Sequence, residues 1–325
     1  MTQLKKMIKF LGLIGVFCLA ININAQQIKT SQDSTKVFYD KLFKSLEVAY
    51  LHKKDFDWKK LKVETFENLN SAKDFKSSLK EVKVLFEKIG ADHSKVTYQG
   101  KNYGPSVEIS WENFSKQWMT KFASKPQFEA RVLNKKYGYI LMPNISFDDF
   151  SSGNVHKIAQ PLYDKIAELK TSNKLEGWIV DLRFNTGGNS SPMLLALYDL
   201  LGDTVVWGTL DANKKLTNST KLDKGVYDQG EKKPSYIKPS GQLMDKSKVA
   251  SSGEVTALAF KGRSNTIFIG EKTLGKTTSN MVVTLPFDAR MPLSIGYDCD
   301  RNGIYYEQII PDIAVSKQDN FDDYL

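Results

Sequence analysis

Cysteine is nearly absent from this chain: two residues in 325 leave no disulfide framework and no multi-cysteine zinc site. Histidine is scarce too, with His52, His93 and His156 as the full set. Ten prolines, 41% hydrophobic and 26% charged residues exclude a collagen, a coiled coil and a disordered chain. Long apolar runs are missing apart from one of a dozen residues at 10–21, short of the roughly 20 that span a bilayer. Acids are the scarcer charge, 37 against 46 basic residues, and the resulting +9 by itself invites an anionic partner.

The apolar run accounts for part of that charge. Lys5, Lys6 and Lys9 precede it, and Asn22 to Ala25 and the polar Gln26–Gln27 follow. A basic start, a short apolar stretch and a small residue at the cut describe a secretory signal peptide over residues 1–25. Phe17 is bulkier than the residue a lipidation site wants before its cysteine, so Cys18 reads as part of the apolar run. Cleavage removes Cys18 and three lysines, taking +9 to +6 and leaving Cys299 as a lone thiol. The expected product is exported, periplasmic or extracellular, with no stable membrane insertion.

Residues 26–95 read as a small helical cap. Phe38, Leu42, Leu46, Ala49 and Tyr50 recur at helical steps, as do Phe75, Leu79, Val82, Leu85 and Ile89. Lysines fill the outer faces of these helices, which is the pattern of a solvated surface, and no nucleic-acid partner is expected. Residues 96–135 read as a connecting segment and 136–325 as the core. In the core, apolar strands at 136–142, 177–182, 204–207 and 266–270 alternate with helices at 155–169, 192–201 and 254–260, an α/β pattern. The polar, lysine-rich stretch 210–239 reads as a long loop or hairpin.

Three places carry chemistry. Asp181-Leu182-Arg183-Phe184-Asn185-Thr186-Gly187-Gly188 is a strand running into a turn with paired glycines ahead of a helix. Glycines allow backbone N–H groups to approach a ligand, so the turn can hold an anion or serve as a plain tight turn. It matches neither the P-loop nor the dinucleotide fingerprint. Ala250-Ser251-Ser252-Gly253-Glu254 opens a helix, where a serine is either a cap or a nucleophile helped by the helix-end potential. Gly270-Glu271-Lys272-Thr273-Leu274-Gly275-Lys276 follows an apolar strand, and a lysine held partly dry there can act as a general base.

Together and in this order, these motifs resemble the S41 peptidases, the tail-specific or C-terminal-processing proteases with tricorn-core and retinoid-binding relatives. Pro311-Asp312-Ile313, Asp92-His93-Ser94 and Gly138-Tyr139-Ile140 also fit that pattern. The resemblance implies a ClpP/crotonase-like α/β (α+β) protease core beneath the helical cap. The stretch between His93 and Gly138 is too short for a PDZ module.

By the same resemblance Ser251 is the nucleophile and Lys276, 25 residues on, its base. The Ser252 N–H with Gly187 or Gly188 would form the oxyanion hole. The tricorn-like alternative uses His93 and Glu307 instead. Lysine-dyad members place a glutamine four residues after the lysine, where this chain has Asn280, and the segment 241–248 before Ser251 is unusually polar. No metal or organic cofactor is implied. The expected partner is a peptide or unfolded protein substrate that adds as a strand. The alternative is a catalytically impaired S41-fold protein that binds an apolar ligand or peptide.

Overall fold

The computed structural model describes residues 31–105, 116–147, 149, 151–225, 236–240 and 252–314. The expected leader, the segment 241–248 and Ser251 lie outside these residues.

Four helices come first: α1 (Ser31–Ala49), α2 (Trp58–Leu69), α3 (Phe75–Ser78) and α4 (Glu81–Lys88). Their starts follow from side chains that satisfy orphan backbone donors. The Asp57 carboxylate accepts the Lys60 N–H, and Asp74 and Ser77 cap each other reciprocally. The apolar stripe of α1 (Phe38, Tyr39, Leu42, Phe43 and Leu46) is buried.

A hairpin of β1 (Val96–Tyr98) and β2 (Lys101–Tyr103) follows, then α5 (Lys116–Ala123), β3 (Glu129–Leu133) and β4 (Tyr137–Leu141). Next come α6 (Ser152–Ser172), β5 (Gly177–Asp181), α7 (Ser190–Ala196) and α8 (Tyr198–Leu201). The remainder holds β6 (Val205–Leu210), β7 (Leu216–Gly225), β8 (Tyr236–Ser240), α9 (Ser252–Phe260), β9 (Ile269–Gly270), β10 (Thr278–Thr284), β11 (Arg290–Cys299) and β12 (Ile313–Ala314).

A seven-stranded sheet runs β2-β1-β11-β6-β7-β8, with β10 on the other edge of β11. This sheet is antiparallel throughout. Parallel pairing is confined to β4 with β5 and β9 with β12. The reason is connectivity: short turns join β6 to β7 and β10 to β11, and such turns make antiparallel neighbours. The stretch 210–239 thus contributes β7 and β8 to the sheet.

One strand is added and one is shortened. β3 lies in the expected connecting segment but pairs with β4 in full register. The expected strand at 266–270 shrinks to Ile269–Gly270, because Ile267 and Ile269 are exposed and only the two-residue β12 is there to pair.

The helices at the start of the chain share a core with the large sheet. Phe38, Leu42, Leu46, Val82, Leu85 and Phe86 pack in one cluster with Val283, Met291 and Leu293 of β10 and β11. At about 1.5–3 kcal/mol per buried side chain, this contact anchors α1 and α4 to the strands that carry the site. A second core gathers α6, α7, α8 and α9 around β4 and β6.

Candidate active site

Helix α9 is buried on every side, from Ser252 through Phe260. A helix buried all round is a core element, so its first residue is held rigidly. Ser251 lies immediately before it, outside the described residues. Ser252 opens the helix, where backbone N–H groups point out of the helix end.

Gly253 abuts the paired-glycine turn. A Cβ there would fall 2.6 Å from the Asn185 carbonyl oxygen, so only glycine permits this approach. Asn185 organises the turn: its Oδ1 accepts the Gly187 N–H at 3.1 Å and its Nδ2 donates to the Pro143 carbonyl at 3.2 Å. Gly187 and Gly188 have φ of 121° and 107°, a region that favours glycine. With the Gly187 amide taken by Asn185, Gly188 is the freer donor of the pair among the described residues.

Asp181 and Arg183 in the same motif are structural. Asp181 is buried and accepts from the Tyr139 hydroxyl at 2.8 Å, from Arg183 N and Nε at 3.0 Å each, and from Arg183 Nη2 at 2.6 Å. These charge-assisted bonds lock the end of β5 to β4 and set the angle at which the chain enters the turn.

Glu254 joins α9 to the lysine segment. Its Oε1 accepts the Gly275 N–H at 2.8 Å and its Oε2 the Lys276 N–H at 2.7 Å. Lys276 then directs its side chain to Asp92, donating from Nζ to Oδ2 at 2.6 Å. The neighbouring His93 reaches the same strand: its Nδ1 lies 2.6 Å from Thr278 Oγ1 and 3.5 Å from Asn280 Nδ2. Asn280 is held in turn by Ser294, which donates to its Oδ1 at 2.7 Å. Burial, and then the positive charge of Lys276, hold the His93 imidazole down to about 4, so the ring is neutral at pH 7.

Asp92–His93 and Lys276–Thr278, more than 180 residues apart in the chain, therefore meet pairwise. Glu307 is on the same side through its backbone, whose carbonyl accepts from Thr277 Oγ1 at 3.3 Å. Its side chain is exposed and makes no hydrogen bond to His93 among the described residues. The hydroxyl of Thr278, which the sequence motif alone gives no role, is the group that faces Nδ1. Asp92 as the partner of Lys276 and Glu254 as a tie between segments are likewise visible only in three dimensions.

A buried helix start, a glycine turn packed against it and a neutral imidazole beside a lysine are thus brought together among the described residues. The family model for Peptidase family S41 matches residues 136–315, and the chain belongs to that family. A nisin-resistance protein of Lactococcus lactis subsp. lactis is 26% identical over 270 residues, covering 80% of this chain and 77% of that protein. Among solved structures, a lipoprotein from Streptococcus agalactiae has a TM-score of 0.60 at 22% identity, covering 88% of this chain and 92% of that one. The photosystem II D1 C-terminal processing protease has a TM-score of 0.48 at 13% identity, covering 87% of this chain and 93% of that one. No described helix is long and apolar enough to cross a membrane.

Proposed function

We propose that this chain is an exported serine endopeptidase that cleaves peptides or protein C-termini, with Ser251 as nucleophile and His93 as its general base. The observation that carries the reading is the tie between α9 and the lysine segment through Glu254, together with the His93–Thr278 contact. These bonds gather the helix that follows Ser251, the lysine segment and the histidine around one place. The bond at Nδ1 orients the ring and leaves Nε2 to take the Ser251 proton. Ser251 Oγ then attacks the peptide carbonyl, and the oxyanion is held by the Ser252 N–H and a Gly188 or Gly187 N–H. The imidazolium returns its proton to the leaving amine, and water repeats the sequence on the acyl-enzyme.

A second reading keeps Lys276 as the base, favoured by the direct tie of its backbone to Glu254 three residues after Ser251. A lysine that serves as base must offer its lone pair to the nucleophile, so the 2.6 Å bond to Asp92 has to break first. That requirement places His93 ahead.

Four alanine variants assayed on a fluorogenic peptide separate the readings. Ser251→Ala abolishes hydrolysis under either. His93→Ala abolishes it under the first while Lys276→Ala retains measurable turnover, and the reverse result transfers the role to Lys276. Glu307→Ala is expected to stay near the parent rate. Undiminished turnover by Ser251→Ala ends the reading of Ser251 as nucleophile, whereas a parent protein that cleaves nothing favours a binding protein on the same fold.

A further inference from the structure

Beside the site, a lysine sits between two tyrosine rings. Lys214 Nζ lies 3.0 Å from the centroid of the Tyr297 ring and 3.3 Å from that of Tyr305. The two rings are 4.8 Å apart and tilted by 59°. Both tyrosines are half-buried, and Lys214 reaches them from the turn between β6 and β7.

The slot adjoins the candidate catalytic group. Tyr297 on β11 stands directly opposite Thr278 on β10, and Thr278 holds His93 Nδ1. Directly opposed residues of an antiparallel pair share one face, with Cβ atoms about 5 Å apart. A side chain in the slot is therefore within a residue or two of the bond that His93 and Ser251 would act on.

The charge around the slot runs against that of the chain. The whole sequence carries +9, yet the charges that act on the slot come from carboxylates, Asp55 and Glu307 among them. Tyr297 OH is 3.4 Å from His52 Nε2, and His52 Nδ1 is 3.3 Å from the Asp55 carboxylate. The charge of Glu307 acts on Lys214 itself. Two aromatic faces with carboxylates at the rim are the chemistry that recognises an organic cation.

The occupant is built to leave. Asp211 closes the turn without help from the Lys214 side chain: its Oδ1 accepts from Asn213 N at 2.8 Å and Lys215 N at 3.0 Å, and its carbonyl accepts from Lys214 N at 3.0 Å. Rotation of the side chain alone empties the slot. Lys214 also has a φ of 61°, where glycine or asparagine is the usual choice, so the turn's own geometry does not call for a lysine.

We propose that the Tyr297–Tyr305 slot is a subsite for the basic side chain, lysine or arginine, of a bound peptide, and that Lys214 fills it until such a peptide displaces it. This rests on the peptidase reading for its biological sense, but binding can be measured without turnover. The test uses the full chain carrying Ser251→Ala and calorimetric titration with acetylated hexaalanine peptides containing one lysine at each position in turn, against the same set with norleucine. At one position lysine is expected to bind roughly tenfold tighter than norleucine, the scale of one desolvated cation–π contact. Adding Lys214→Gly should widen the preference several-fold. Tyr297→Leu with Tyr305→Leu should abolish it at unchanged melting temperature. The subsite is refuted by equal binding of lysine and norleucine at all positions, or by a preference that survives loss of both rings. If the double variant unfolds, an unchanged preference in Lys214→Gly refutes it equally. Failure of the peptidase reading shows up separately, as a parent protein that does not cleave.

Discussion

Glu254 and Lys276 are joined through a side chain and a backbone: Glu254 Oε2 accepts the Lys276 N–H at 2.7 Å while Oε1 holds the neighbouring Gly275 N–H. One buried carboxylate thus fixes the distance between the helix that follows Ser251 and the strand that carries Thr278 toward His93.

Removing that carboxylate leaves two backbone donors without partners. Each costs about 1–3 kcal/mol when it stays buried. Glu254→Ala is therefore expected to lose roughly 2–6 kcal/mol in urea denaturation and most of its turnover. Glu254→Gln keeps one acceptor and should fall between the parent and Glu254→Ala on both measures. Parent-like stability in Glu254→Ala would remove the tie from the account.

His93 makes a pH prediction whose sign is set by its depressed value. Held to about 4 in the folded protein against an ordinary 6.5, it binds fewer protons than in the unfolded chain between those limits. Its contribution is fully present above pH 6.5 and is lost as pH falls through 4. Activity should persist well below pH 6.5, with an acid limb nearer 4. His93→Gln should lose stability relative to the parent least at pH 4 and most at pH 7, followed by chemical denaturation at each pH.

Asp298 acts in the opposite sense. It is fully buried on β11; Trp207 Nε1 donates to its Oδ1 at 2.9 Å, and its Oδ2 has no hydrogen-bond partner among the described residues. Burial pushes this carboxyl up to about 7 from 3.8. The folded protein keeps a proton that the unfolded chain releases between those values, so this group's contribution falls as pH rises from about 4 to 7. Asp298→Asn, which cannot ionise, should compare more favourably with the parent at pH 8 than at pH 5 in melting temperature. An identical difference at both pH values would show that Asp298 does not titrate in this window.

Gly188→Ala tests the turn. Its Cβ would fall 2.2 Å from the Ile145 carbonyl oxygen at a φ of 107°, so clash and backbone strain add. A loss of at least about 2 kcal/mol is expected by denaturation, with a larger loss of turnover under the proposal that Gly188 donates to the oxyanion. A variant with parent-like stability and turnover would mean that the turn relaxes freely.

Much of the site was readable locally. The paired glycines at 187 and 188, the start of α9 at Ser252 and the strand entering Asp181 are short-range backbone chemistry, set by residues within a few positions of one another. The cap helices were readable for the same reason, from their 3.6-residue apolar spacing. The antiparallel pairing of the large sheet was not readable this way, because periodicity does not report which strands a turn brings together.

The sequence by itself determined the family, the local shapes of the motifs and the apolar stripes that bury them, since each depends on neighbours along the chain. Only the tertiary structure decided that Lys276 faces Asp92, that His93 rests on Thr278 and that Lys214 lies between two tyrosines. Those pairings span 83 to 185 residues, and their distances are set by strand order and register around β11, which no local preference encodes.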